Sequence, residues 1–137
     1  MVQRFDYLVI GSGIAGMSFA LKVADKGSVA LICKTALQEA NTYYAQGGVA
    51  SVTNPIDDFE KHIQDTLIAG DGHCDRAAVE KVVKEAPAQI NELIEWGVKF
   101  DKTAEGDFDL HREGGHSEFR ILHHKDNTGA EIQESLI

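Results

Sequence analysis

Residues 5–16 read Phe5-Asp6-Tyr7-Leu8-Val9-Ile10-Gly11-Ser12-Gly13-Ile14-Ala15-Gly16, and this stretch decides the fold. Phe5 to Ile10 is a short run rich in strand formers, stopped by Gly11. Gly11 to Gly16 has the spacing G-x-G-x-x-G of a dinucleotide-binding turn. In such a turn the first glycine permits the tight bend and the second lets the backbone approach a pyrophosphate. The third lets the helix pack closely on the strand. Residues 14–26 then set Ile14, Met17, Phe19, Leu21 and Val23 among small residues, which predicts a helix ending at Gly27. Its N-terminus would offer unpaired N–H groups and a partial positive charge to phosphates. Val29 to Cys33 is a second apolar run, expected as a buried parallel strand. Strand, glycine turn, helix and strand over residues 1–33 open a βαβ unit. The expected class is α/β, a Rossmann-like nucleotide-binding domain with a parallel sheet and flanking helices.

Outward from that unit, the composition narrows the choices. A chain of 137 residues, 43% apolar and 26% charged, is sized and composed for one globular domain with one core. Its 13 Lys and Arg against 22 Asp and Glu leave a formal charge of −9, which argues against a nucleic-acid partner. The longest apolar runs are too short to cross a bilayer, and Met1 to Asp6 lacks a secretory-signal profile. Two cysteines, Cys33 and Cys74, without CxxC spacing, point to a reduced, cytoplasmic compartment. The last residues place Ile132, Leu136 and Ile137 on a helix that no Gly, Asn or Pro closes, which suggests a fragment of a longer chain.

Residues 34–53 turn small and polar without a period and are expected as one long loop, a feature usually functional in compact domains. Asp57 and Asp58 open a helix to Ala69 with Phe59, Ile63, Leu67 and Ile68 on one face. Asp75 caps a further helix through Val79, Val82 and Val83, and Pro87 is expected near the first turn of another that ends at Trp96-Gly97. Val98 to Phe100 and Arg120 to Leu122 are candidate short strands. The acidic positions from Asp57 to Asp65 and from Glu80 to Glu92 read as solvated helix surfaces.

A plain NAD fingerprint carries an acid about 20 residues beyond the turn, to hold a ribose hydroxyl. Here Cys33-Lys34 stand at that point. On spacing alone, Lys34 is as readily a surface lysine as a nucleotide contact. The block Asn41-Thr42-Tyr43-Tyr44-Ala45-Gln46-Gly47-Gly48 is far less common. With the glycine turn it resembles the flavoprotein family of succinate dehydrogenase, fumarate reductase and L-aspartate oxidase. In that family an A-Q-G-G loop lies along the flavin and a lysine follows the second strand. The resemblance implies an FAD-binding domain in which Gly11, Ser12, Gly13, Ile14, Ala15, Gly16, Lys34, Asn41, Thr42, Tyr43, Tyr44, Ala45, Gln46, Gly47 and Gly48 form the cofactor site. Members that tether the flavin carry a histidine four residues before the Ala of A-Q-G-G. Asn41 stands there, and an amide cannot make that link, so FAD is expected to be held without a covalent bond.

A second stretch runs His111-Arg112-Glu113-Gly114-Gly115-His116-Ser117, then Arg120-Ile121-Leu122-His123 and Asp126-x-Thr128-Gly129. With Asp65 to Gly70 and Cys74-Asp75-Arg76, it is most similar to the L-aspartate oxidase branch of that family. The resemblance implies oxidation of L-aspartate to iminoaspartate, with electrons leaving to dioxygen or fumarate. The product would pass to quinolinate synthase, in the quinolinate route of NAD biosynthesis. It also implies a capping domain and a C-terminal helical region, which hold the family's catalytic arginine and histidines, so no catalytic residue is expected in residues 1–137. Residues 34–53 would be the flavin-contacting loop, and residues 54–137 helices and a substrate-side segment. Glu113 is assigned to the substrate amine, because succinate and L-aspartate differ by one ammonium and a carboxylate is its natural partner. The bland alternative pairs Glu113 with Arg112 or Arg120. A soluble fumarate reductase and a nucleotide-binding module without catalysis are the other readings; yellow colour and peroxide release with L-aspartate separate the three. His111, His116, His123 and His124 invite a metal reading, but none has the i, i+4 helical spacing with a supporting carboxylate, so no metal is expected.

Overall fold

A computed structural model describes residues 2–137. Strand β1 (Tyr7–Ile10) and strand β2 (Val29–Ile32) pair in parallel, with Tyr7 opposite Val29 and Ile10 opposite Ile32. Helix α1 (Ile14–Val23) is the crossover between them, so the opening unit is the βαβ start that the glycine spacing implies. The chain is α/β, with this Rossmann-like pair at its head. At the base of the pair the Asp6 carboxylate accepts from both the Ser28 backbone N–H (2.8 Å) and the Ser28 hydroxyl (2.7 Å). Those bonds hold the Asp6 carboxyl below its ordinary pKa. α1 ends three residues before the expected point, because Lys26 N–H turns back to the Val23 carbonyl at 2.9 Å.

Residues 34–53 are not wholly loop. Val49–Ala50 form β3, antiparallel to β4 (Ile121–Leu122). A two-residue strand has no readable period; it exists through a partner far along the chain. Helix α2 (Phe59–Ala69) starts on Asp58, whose side chain accepts from Lys61 N–H. Its buried face is His62 and Ile63, while Phe59 and Ile68 of the expected apolar stripe are exposed. Helix α3 (Arg76–Glu95) starts on Asp75 and is one 20-residue helix, not two. Pro87 removes one bond, the one its N–H would give the Val83 carbonyl. Val83, Ile90 and Leu93 nevertheless stay on one buried stripe across it, and that burial carries the helix through. Val98 to Phe100 is not a strand: Val98 N–H bonds Leu93 O, and both apolar side chains sink into the core.

Helix α4 (Thr128–Leu136) follows Asn127. Met17, Ile90, Leu93, Val98, Phe100, Leu122, Ile132 and Leu136 form the central cluster, which joins α1, α3, β4 and α4. Among the described residues no helix is long and apolar enough to cross a membrane.

The βαβ start depends on Gly16. A Cβ there would overlap the Gly11 carbonyl oxygen and come within 3.3 Å of Val9 Cγ1. Alanine gains about 1 kcal/mol over glycine in a helix, but overpacking costs about 1–3 kcal/mol and the obstructing atom is backbone. Gly16→Ala is therefore expected to destabilise the protein by about 1–2 kcal/mol, read as a lower urea midpoint. An unchanged or raised midpoint would contradict this close approach.

Candidate functional site

The turn between β1 and α1 bends at Gly11, whose φ of +107° is left-handed and suits glycine. Gly13 caps α1 without a side-chain hydrogen bond, and the Ile14 N–H donates to Thr42 Oγ1 at 3.0 Å. A cavity of about 580 Å³ opens beside this turn, between the ends of both strands and the segment from Glu39 to Thr42. It brings together Gly11, Ser12, Gly13, Lys34, Asn41 and Thr42 of the expected cofactor residues. Its size lies within the range of about 300–1,000 Å³ usual for ligand sites. A Cβ on Gly13 would stand 3.5 Å from Thr42 Oγ1, an ordinary contact on the loop side of the turn. The helix N-terminus, the bare backbone at Gly11 and Gly13 and Lys34 on the cavity wall fit a dinucleotide carrying a pyrophosphate.

The other expected residues lie outside this cavity. Tyr43 and Tyr44 stack edge to face at 5.4 Å, and the Tyr44 hydroxyl donates to Glu39 Oε1 at 2.9 Å, which raises its pKa. The Ala45 carbonyl accepts from Gly129 N–H at 2.9 Å. Gly48 sits so close to Ile121 and Leu122 that a Cβ would overlap both. Ala45 and Gly48 thus anchor the loop to α4 and β4. One residue the sequence reading missed ties the site together. Gln133 on α4 is fully buried, and its Nε2 donates to Ser12 O (2.7 Å) and Leu37 O (2.9 Å). A single glutamine on an amphipathic helix carries no signal of such a role.

Glu113 is exposed, on the loop that precedes β4. Its Oε1 lies 4.0 Å from the point that a Cβ on Gly47 would occupy, so the acid rests against the A-Q-G-G loop. No ion pair links it to Arg112 or Arg120 among the described residues. Arg112 instead stands over the Phe119 ring at 5.5 Å.

Residues 6–137 match the family described as FAD binding domain. The chain belongs to that family. FAD is accordingly its cofactor. It is 51% identical over its whole length to L-aspartate oxidase 2-b, chloroplastic, of Nicotiana tabacum, covering 21% of that relative. It is 49% identical to the L-aspartate oxidase of Vibrio cholerae, with 98% of this chain and 26% of that protein aligned. Among solved structures it is similar to the E. coli quinol fumarate reductase FrdA, with 30% identity and a TM-score of 0.89. That match covers 96% of this chain and 23% of FrdA. The Mycobacterium smegmatis Sdh1 complex gives 32% identity and a TM-score of 0.88, over the same shares of the two chains. The chain thus spans about a fifth to a quarter of the length of the curated relatives it matches.

In this FAD binding domain the acids of α2 and its entry are not all solvated, as their pattern suggests. The Arg120 side chain is fully buried and donates to both oxygens of Asp57, from Nε and Nη2, each at 2.8 Å. Its Nη1 donates to Asp65 Oδ2 at 2.5 Å and to His116 Nδ1 at 3.2 Å. Burial pushes the Asp57 and Asp65 carboxyls up. The hydrogen bonds and charge of Arg120, with Ser117 on Asp65, outweigh it and hold both below 3.8. The two carboxylates raise the Arg120 pKa in turn. Burial, followed by the charges of Arg120 and His116, depresses His62 below 6.5. Arginine inside an Arg-Ile-Leu strand stretch could have been suspected of needing buried acids, since an unpaired buried charge is so costly.

Asp109, His111 and His123 bring ligand atoms within 4.8 Å of one another. The His111 and His123 rings, however, stack at 3.7 Å with planes only 24° apart. Nitrogen lone pairs lie in the ring planes, so these run alongside one another rather than converge. We assign no metal centre there. The three residues meet through the antiparallel bridge between His111 and Ile121, a proximity that helical spacing could not reveal.

The buried cluster fixes the sign of the acid response. The folded pKa of His62 lies below 6.5, so the unfolded chain takes up that proton first and stability falls as pH drops through 6.5. Asp57 and Asp65 are depressed, so their contribution is complete above 3.8 and is lost as pH falls through their folded values. Urea midpoints between pH 7.5 and 3 should therefore fall in two stages, and His62→Gln should flatten the first. A level profile from pH 7.5 to 4.5 would contradict the buried neutral His62.

Proposed function

We propose that residues 1–137 are the cofactor-side part of a flavin-dependent enzyme that oxidises L-aspartate to iminoaspartate. The observation that carries this reading is the carboxylate of Glu113 against Gly47 of the A-Q-G-G loop. A dicarboxylate substrate calls for cations, so an acid at the flavin loop needs a separate reason. The ammonium that L-aspartate has and succinate lacks supplies one. The 49–51% identity to L-aspartate oxidases over essentially the whole chain supports the same choice.

When bound, FAD supplies the acceptor for the two electrons that leave Cα–H of L-aspartate. This chain's residues do the holding. The turn from Gly11 to Gly16 and the first turn of α1 would receive the pyrophosphate, with Lys34, Asn41 and Thr42 around the same cavity. The loop from Tyr43 to Gly48 is kept in place by α4 and β4 and takes the flavin side of the cofactor. Asn41 leaves the flavin untethered. Glu113 accepts from the substrate ammonium and orients Cα–H; toward succinate or fumarate the same carboxylate is only repulsive. The bound cofactor would give up its electrons to dioxygen, giving peroxide, or to fumarate, giving succinate. Iminoaspartate would be the substrate handed to quinolinate synthase. The capping and helical domains of the longer enzyme would supply the catalytic arginine and histidines.

Acid precipitation of the FAD-loaded enzyme that contains this chain should release all its flavin into the supernatant. Flavin fluorescence retained in the pellet would overturn the untethered reading. A hydrogen bond to a charged group contributes about 1.5–3 kcal/mol. Glu113→Gln should therefore lower kcat/KM for L-aspartate about ten- to hundredfold, while fumarate reduction is kept or improved. If both activities fall together, or neither changes, Glu113 does not meet the substrate amine.

A further inference from the structure

Glu113 sits on a stretch that apolar burial does not hold. Residues 111–115 are exposed. Gly114 and Gly115 follow the acid directly, and Gly115 adopts a left-handed φ of +85°, so the backbone beside Glu113 has little stiffness of its own. On its N-terminal side the stretch is anchored where His111 and Ile121 exchange backbone hydrogen bonds of 3.0 Å. On its C-terminal side the anchor is Asp65. Its Oδ2 accepts from the Ser117 backbone N–H and the Ser117 hydroxyl, each at 2.8 Å, and from Arg120 Nη1. The same Nη1 reaches His116 Nδ1; a guanidinium has only donors, so the ring nitrogen accepts. His116 N–H in turn donates to the Glu113 carbonyl at 3.2 Å.

The two acids that meet Arg120 therefore do different work. Asp57, fully buried, takes the two-pronged face of the guanidinium and fixes it to the start of α2. Asp65, one side of which reaches the surface, transmits that fixed point to the glycine-rich stretch through Ser117, while Arg120 itself holds His116. We propose that Asp65, pinned by Arg120, is a positioning residue for Glu113 and thereby sets the preference for L-aspartate over succinate and fumarate. The proposal rests on the reading of Glu113 as the partner of the substrate amine. A carboxylate displaced by about 1 Å can lose on the order of a hundredfold in rate, so an exposed loop held largely by hydrogen bonds is a sensitive place for selectivity to reside.

The test uses the FAD-loaded enzyme that contains this chain, with flavin content checked by absorbance. Asp65→Asn should raise KM for L-aspartate about tenfold, with a smaller change in kcat, and change fumarate reduction by less than about threefold. In a Glu113→Gln background the same substitution should add nothing further for L-aspartate, because residues that act as a unit are not additive. Ser117→Ala leaves the Arg120 ion pairs intact and should shift the same selectivity in the same direction by about threefold. It keeps the question open to experiment if Asp65→Asn does not fold. Parallel losses of both activities, or effects that multiply in the double variant, would make Asp65 merely structural and overturn the proposal. If Glu113→Gln alone leaves L-aspartate oxidation untouched, the assignment of Glu113 fails first. A normal Glu113 effect with an independent Asp65 effect defeats only the positioning role.

Discussion

Moving a guanidinium out of water costs several kcal/mol unless carboxylates meet it with good geometry, and Arg120 is fully out of water. Two carboxylates answer it, one with both oxygens and one with a single oxygen. Because they stand at the entry to α2 and inside it, while the arginine precedes β4, satisfying one charge holds two distant stretches of chain together. The backbone repeats the link, since Ser51 N–H bonds the Arg120 carbonyl at 3.0 Å next to the β3–β4 pair. Removing one partner would leave an uncompensated buried charge, typically a loss of about 3–5 kcal/mol, so the three side chains hold one geometry or none.

The cavity beside the glycine turn has a comparable dependence on distant chain. The βαβ start supplies the turn, but the turn and the loop that faces it are joined by Gln133 from α4. The same helix approaches the A-Q-G-G loop through Gly129, where a Cβ would overlap the Thr42 carbonyl. Residues 11–16 therefore read as a nucleotide site locally, while their placement against residues 37–45 is shared between the Ile14–Thr42 bond and α4.

What was legible in the sequence was what is local. Gly11 to Gly16 between two apolar runs announces its turn because each glycine has a steric task within a few residues. Asp58 and Asp75 are readable as caps for the same reason. The break expected at Pro87 does not occur because Val83, Ile90 and Leu93 share one buried stripe, and tertiary burial outweighs one missing hydrogen bond. β3 was invisible because two residues cannot show alternation. Asp57 and Asp65 resembled any acidic helix entry, since their partner lies beyond α3. The likeness to a known family singled out the loop from Asn41 to Gly48 and the stretch that carries Glu113, neither of which spacing alone could mark.

Gln133 carries a consequence for how the protein is made. Synthesis runs from the N-terminus, and the βαβ start leaves the ribosome first, with its strands close in sequence and quick to pair. Of the bonds that join its glycine turn to the facing loop, the one from Ile14 N–H to Thr42 Oγ1 can form early, while those from Gln133 wait until the chain has grown past residue 133. Leu8, Ile10 and Ile32 of the first two strands are still exposed with Gln133 in place. The glycine turn is thus among the first residues to emerge, while the side chain that bonds its Ser12 carbonyl follows 121 residues later.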